Sequence, residues 1–105
     1  MSISPSEKIK VSIEGNIATI VIDNPGANTW DRESLPALRQ VIETLNGEPT
    51  VYALVLTGAG QKFFSAGADL NQFASGDADV ARAVGEAFGE AFETLADFRG
   101  VSIAA

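Results

Sequence analysis

Residues Lys8 to Glu14, "KIKVSIE", alternate polar and apolar positions, the period of a strand with one covered face. Ile17 to Ile22, "IATIVI", is mostly β-branched, and Gly15-Asn16 between the two runs is a turn pair, so a β-hairpin is predicted. After the turn-rich "NPGAN" (24–28) the period becomes helical: Leu35, Leu38, Val41, Ile42 and Leu45 form one stripe that needs a sheet to lie on. Asp31 reads as the N-cap of this helix, although Pro36 then falls just past the first turn, which a start nearer Ser34 relieves. "NGEP" (46–49) ends it. "VYALVLTG" (51–58) is almost uninterruptedly apolar, as suits a strand buried on both faces inside a mixed sheet. A loop over 58–76 follows. Asp77 and Asp79 then open a long helix with Val80, Val84, Phe88, Ala91, Phe92, Leu95 and Phe98 on one face, stopped by "RG" (99–100).

"VSIAA" (101–105) begins another strand with no polar tail, turn residue or charge to protect its edge. The expectation is therefore that residues 1–105 are the amino-terminal portion of a longer domain. The order strand, strand, helix, strand, long helix, strand contains no internal repeat or linker.

Composition narrows the function classes. With 46% hydrophobic and 20% charged residues, the 105-residue chain fits one small globular domain. Fourteen acidic against seven basic residues leave a net charge of −7, which repels nucleic acid and anionic membrane surfaces. A small anionic ligand held by a local lysine or by backbone amides stays compatible with that field. Cysteine and histidine are both absent, which excludes disulfides, the usual zinc sites, Ser-His and Cys-His nucleophiles and a histidine base. "MSISPSEKIK" lacks the apolar run of a secretory signal, and no stretch reaches the roughly 18 apolar residues of a membrane span, so the cytoplasm is the expected compartment.

The chemistry concentrates in "TGAGQKFFSAGADL" (57–70). A dinucleotide fingerprint would need glycine where Phe63 stands, and the P-loop spacing is also missing. Ser65 lies outside a G-x-S-x-G elbow and has no histidine to take its proton, so its hydroxyl is assigned to the loop's own backbone. Asp77 and Asp79 suit a helix N-terminus without any metal. Lys8 and Lys10 are assigned to an exposed strand face, Trp30 to core packing, and Glu86, Glu90 and Glu93 to the solvated side of their helix. The small residues Ser65 to Ala68 leave two readings open. Gly67 either supplies only a left-handed turn with alanines packing closely beside it, or lets main-chain N–H groups approach a ligand oxygen.

"ATIVIDNPGANTW", "VYALVLTGAGQKFFSAGADL" and "RGVSIAA", in this order and spacing, resemble the amino-terminal part of the crotonase (enoyl-CoA hydratase/isomerase) superfamily, from about Ile9 to Ala105. The resemblance implies an α/β fold, a crotonase-like spiral of β-β-α units left incomplete by this chain, assembled into trimers or pairs of trimers. It implies an acyl-CoA thioester as ligand, with coenzyme A entering as part of the substrate and no separate cofactor or metal. In that family two backbone N–H groups polarise the thioester carbonyl. The first donor maps onto Ala68, with Gly67 allowing the approach; the second belongs to a glycine-rich turn that follows the "RGVSIAA" strand. Ala66 maps onto the position whose carbonyl meets the adenine amine. The loop with Pro25, Ala27 and Asn28 maps onto the segment that curls over coenzyme A, and Asp69 and Leu70 complete the pocket wall. This chain departs from the family twice: "NTW" stands where Asn-Ala-Leu is frequent, and Asn71-Gln72 where a basic residue is common, which leaves Lys62 as the candidate phosphate contact. The implied activity is enoyl-CoA hydration, with enoyl-CoA isomerase or a noncatalytic acyl-CoA binding or assembly module as the alternatives. The two glutamates that move protons in the family's hydratases match none of the glutamates here, so residues 1–105 alone are expected to lack turnover.

Overall fold

The computed structural model describes residues 3–62, 64–68 and 77–105. Four strands and two helices follow one another as β1 (Ile9–Glu14), β2 (Ile17–Ile22), α1 (Ser34–Asn46), β3 (Ala53–Gly58), α2 (Ala78–Ala96) and β4 (Val101–Ala104). They make one sheet in the order β1-β2-β3-β4. The hairpin pair is antiparallel, Ile9 opposite Ile22 and Glu14 opposite Ile17, with Gly15 at φ +60° in the turn. β2 pairs parallel with β3 and β3 with β4, so each of those connections carries a helix. The architecture is thus mixed α/β, and β1, β2 and α1 form one β-β-α unit.

Registers follow from the apolar pattern. Ile9, Ala18, Ile20, Ile22, Leu54 and Leu56 are buried on one face of the sheet, and Leu35, Leu38, Val41, Ile42 and Leu45 of α1 are all buried in the same core. α2 packs chiefly on α1 and adds Ala91 and, just past its end, Phe98. The expectation that residues 51–58 are buried on both faces is corrected: Leu54 and Leu56 are buried, whereas Ala53, Val55 and Thr57 on the opposite face are only half-buried. That opposite face also carries Ile17, Val101 and Ile103, each about half exposed, because both helices lie on the other side. No helix among the described residues is long and apolar enough to cross a membrane.

The helix starts show how local chemistry sets the boundaries. Asp77 caps α2, its carboxylate accepting from the N–H of Asp79 at 2.8 Å. α1 begins at Ser34, yet the cap comes from Asp31, whose Oδ1 accepts from the N–H groups of Glu33 (3.0 Å) and Ser34 (2.8 Å). Ser34 Oγ returns the favour by accepting from the Asp31 N–H at 2.9 Å, a reciprocal box that leaves Pro36 inside the first turn, where no donor is missed. Lys8, assigned to an exposed strand face, instead precedes β1 and is half-buried, its ammonium donating to Asp31 Oδ2 at 2.6 Å.

The turn from α2 into β4 is set by a close approach. A Cβ on Gly100 would overlap the Tyr52 carbonyl oxygen and lie 2.9 Å from the Phe98 ring. That oxygen is fixed because it accepts from the Val101 N–H at 3.1 Å, the bond that docks β4. Gly100→Ala is therefore expected to lower stability by about 1–3 kcal/mol through overpacking. Urea unfolding of the protein checks this, and a variant as stable as the parent would show that the turn can relax.

Candidate functional site

The loop after β2 and the loop after β3 lie side by side, and their bonds are between main chains. The Ala66 N–H donates to the Ala27 carbonyl at 2.9 Å, and the Trp30 N–H to the Gly67 carbonyl at 2.7 Å, giving a single parallel bridge between Trp30 and Ala68. Trp30 is buried, edge-on to Phe92 with ring centroids 5.5 Å apart, so the strut against which residues 66–68 are laid is part of the core. Gly67 sits at φ +96°, in the left-handed region that glycine enters freely, and its N–H donates to Ser65 Oγ at 3.1 Å. Ser65 thus has the backbone-bonding role read from the sequence.

These bonds fix a direction. No peptide bond among the described residues is cis, and in a trans peptide unit the C=O and N–H point in opposite directions. Since the Gly67 carbonyl is aimed at Trp30, the Ala68 N–H of the same unit points away from the 24–30 loop. It meets no acceptor among the described residues, and Ala68 is only partly buried. In strand order, β4 lies on the far side of β3 from β2 and hence from that loop.

Around this donor the sequence-predicted residues divide. Gly67, Ala66 and Ala27 are brought together by the main-chain bonds, with Pro25 exposed on the same loop. Asn28 is buried, with its Oδ1 accepting from the Asn24 N–H at 3.1 Å and its Nδ2 donating to the Ala59 carbonyl at 3.0 Å. Lys62 is exposed and borders, with Phe64, Thr57, Gly58 and Ala105, a cleft of about 240 Å³ at the carboxyl ends of β3 and β4. Asp69 and Leu70 lie outside the described residues.

The base of the 24–30 loop is held electrostatically. Asp31 Oδ2 takes the Lys8 ammonium and, at 3.2 Å, the Asn24 amide, whose Nδ2 also donates to the Thr29 carbonyl at 2.7 Å. Burial works against the Asp31 charge, but the hydrogen bond from Lys8 and those from Ser34 and Glu33 outweigh it and hold the carboxyl below its usual range. Lys8 is shifted up, first by that same hydrogen bond. The Asp31–Lys8 pair does not stand out in the sequence because it joins segments on either side of the β1–β2 hairpin, and Asn24 does not because its bonds depend on how its own loop folds back.

The arrangement offers a preset main-chain donor held by core-anchored bonds. It contains no cluster of side chains for proton transfer near that donor among the described residues. The model of the family "Enoyl-CoA hydratase/isomerase" matches residues 12–105. The carnitinyl-CoA dehydratase of Escherichia coli K12 is 37% identical over 73 residues, 70% of this chain and 28% of that protein. Among solved structures, Pseudomonas aeruginosa DspI superposes with a TM-score of 0.93 at 61% identity, over 95% of this chain and 38% of that one. The enoyl-CoA hydratase of Bacillus anthracis does so at 0.89 with 26% identity, over 93% and 39% of the two chains. The chain spans about 28% of the length of the curated relatives it matches.

Proposed function

The chain belongs to the enoyl-CoA hydratase/isomerase family, and from that premise we propose that it supplies the first oxyanion donor of an enzyme acting on acyl-CoA thioesters. The observation that carries this reading is the orientation of the Ala68 N–H, turned away from its neighbouring loop by the Trp30–Gly67 bond. A donor fixed in advance stabilises negative charge as it develops on a thioester oxygen without reorganising, which is where such groups act most strongly. The second donor of the pair is assigned to the stretch after β4.

Addition of water to a 2-enoyl thioester is the favoured reaction, because a curated relative is named a dehydratase of an acyl-CoA, the same chemistry run in the other direction. The Ala66 carbonyl and the Pro25–Asn28 loop are proposed to receive the coenzyme A portion, with Lys62 near its phosphates. Hydration also needs an acid and a base within reach of the substrate. Glu90 is instead bonded to Arg39 at 2.8 Å on the helical surface, and Glu86 and Glu93 are exposed there too. Residues 1–105 alone are therefore expected to leave crotonyl-CoA unhydrated, while the whole protein consumes its enoyl absorbance. Hydration by residues 1–105, or none by the whole protein, contradicts the assignment.

A further inference from the structure

Resting on the reading of Ala68 just given, we infer that Asn28 is a positioning residue: its side chain clamps the two loops in the register that aims the Ala68 amide. Asn28 is 4% exposed and holds φ +52°, the left-handed region that few residues other than glycine and asparagine occupy without strain. Its main-chain N–H closes the turn onto the Asn24 carbonyl at 3.1 Å. The side chain then reaches both ways, Oδ1 to the first residue of its own loop and Nδ2 to the Ala59 carbonyl, the first residue past β3.

Ala59 is itself docked on β2 through its N–H to the Ile22 carbonyl at 2.8 Å. The loop from Ala59 to Ala68 is thus gripped at its start by the Asn28 carboxamide and near its end by Ala27 and Trp30. All three grips come from residues 27–30, so that short segment works as a strut spanning the base of the loop. Both ends of the carboxamide are spent inside the protein. Its effect on a ligand therefore passes through the direction of the Gly67–Ala68 peptide unit.

A clamp and a ligand contact differ in what they change. Losing a contact made equally in ground and transition states raises KM, whereas a misaimed oxyanion donor lowers kcat. The test uses the whole protein with crotonyl-CoA, comparing Asn28→Gly, which keeps the left-handed backbone and removes both ties, with Asn28→Asp, which keeps Oδ1 and sets an oxygen against the Ala59 carbonyl. Both variants are expected to lose about 10- to 100-fold in kcat with KM within about twofold, the scale of a misplacement near 1 Å. The thioester carbonyl stretch of bound crotonyl-CoA should also move back toward its value in water. That frequency reads only molecules holding ligand, so a smaller folded fraction leaves it unchanged. A carbonyl stretch equal to the parent's in either variant overturns the proposal, as does a raised KM with kcat retained, or failure of both variants to hold crotonyl-CoA. An Ala68→Pro protein with parental turnover overturns the Ala68 reading itself; full loss in that variant with no effect at Asn28 removes the clamp alone.

Discussion

Ala68→Pro is expected to lower enoyl-CoA turnover by the whole protein about 10²- to 10³-fold, the usual cost of removing one oxyanion-hole donor. Proline deletes the N–H without adding a polar or charged group, and it is the only substitution that can remove a main-chain donor. The steric restriction that proline places on its predecessor acts through that residue's N–H and Cβ, and Gly67 has no Cβ to clash. The bonds that lay this segment against the 24–30 loop use the Gly67 carbonyl and the Ala66 N–H, both of which survive. Under the role proposed for Ala68, most of the loss should fall on kcat, since such a donor gains strength as charge builds on the oxygen. Ala68→Gly keeps the amide and is expected to stay within a few-fold of the parent. Steady-state kinetics with crotonyl-CoA, with thermal melts to confirm the fold, decide the matter. A proline variant that melts like the parent and turns over like it removes Ala68 from the mechanism.

The parts of this molecule that were legible in sequence are those fixed by neighbours in sequence. The hairpin was readable because β-branched alternation and a Gly-Asn turn act within a few residues, and the α1 stripe because its five apolar residues face one core. How fully β3 is buried was not legible: an apolar run signals what a strand is able to bury, and here α1 and α2 lie on one face of the sheet. At the site, Gly67 was visible as a residue free to adopt φ +96°. The aim of the Ala68 amide was not, because it depends on a bond from Trp30 across the two loops. Asn28 was likewise readable only as part of a family loop, since its partners Asn24 and Ala59 flank different strands. Asp31 is legible as a cap from its position before the stripe, but its partner Lys8 belongs to the approach to β1.

The Asp31 network should make a large side-chain contribution to stability. Asp31→Ala removes the acceptor for two amides at the start of α1 and leaves Ser34, fully buried, with half of its reciprocal box. A lost cap alone costs about 0.5–2 kcal/mol. The Lys8 ammonium, with its side chain 31% exposed, is able to turn to water, so the large penalty of stranding a buried charge is only partly incurred. The sum expected is about 2–3 kcal/mol, read from urea unfolding of the protein near neutral pH. The sign with pH follows from the lowered Asp31 carboxyl: the contribution is present above the unfolded value of about 3.9 and is lost as pH falls through the lower folded value. Asp31→Asn keeps one acceptor for the amides while giving up the charge. Its deficit against the parent should therefore be smaller at neutral pH than that of Asp31→Ala, and should shrink further as the acid limb is descended. A deficit that stays constant into strong acid would mean that the carboxylate charge contributes nothing, and that Asp31 holds the loop by shape and hydrogen bonding alone.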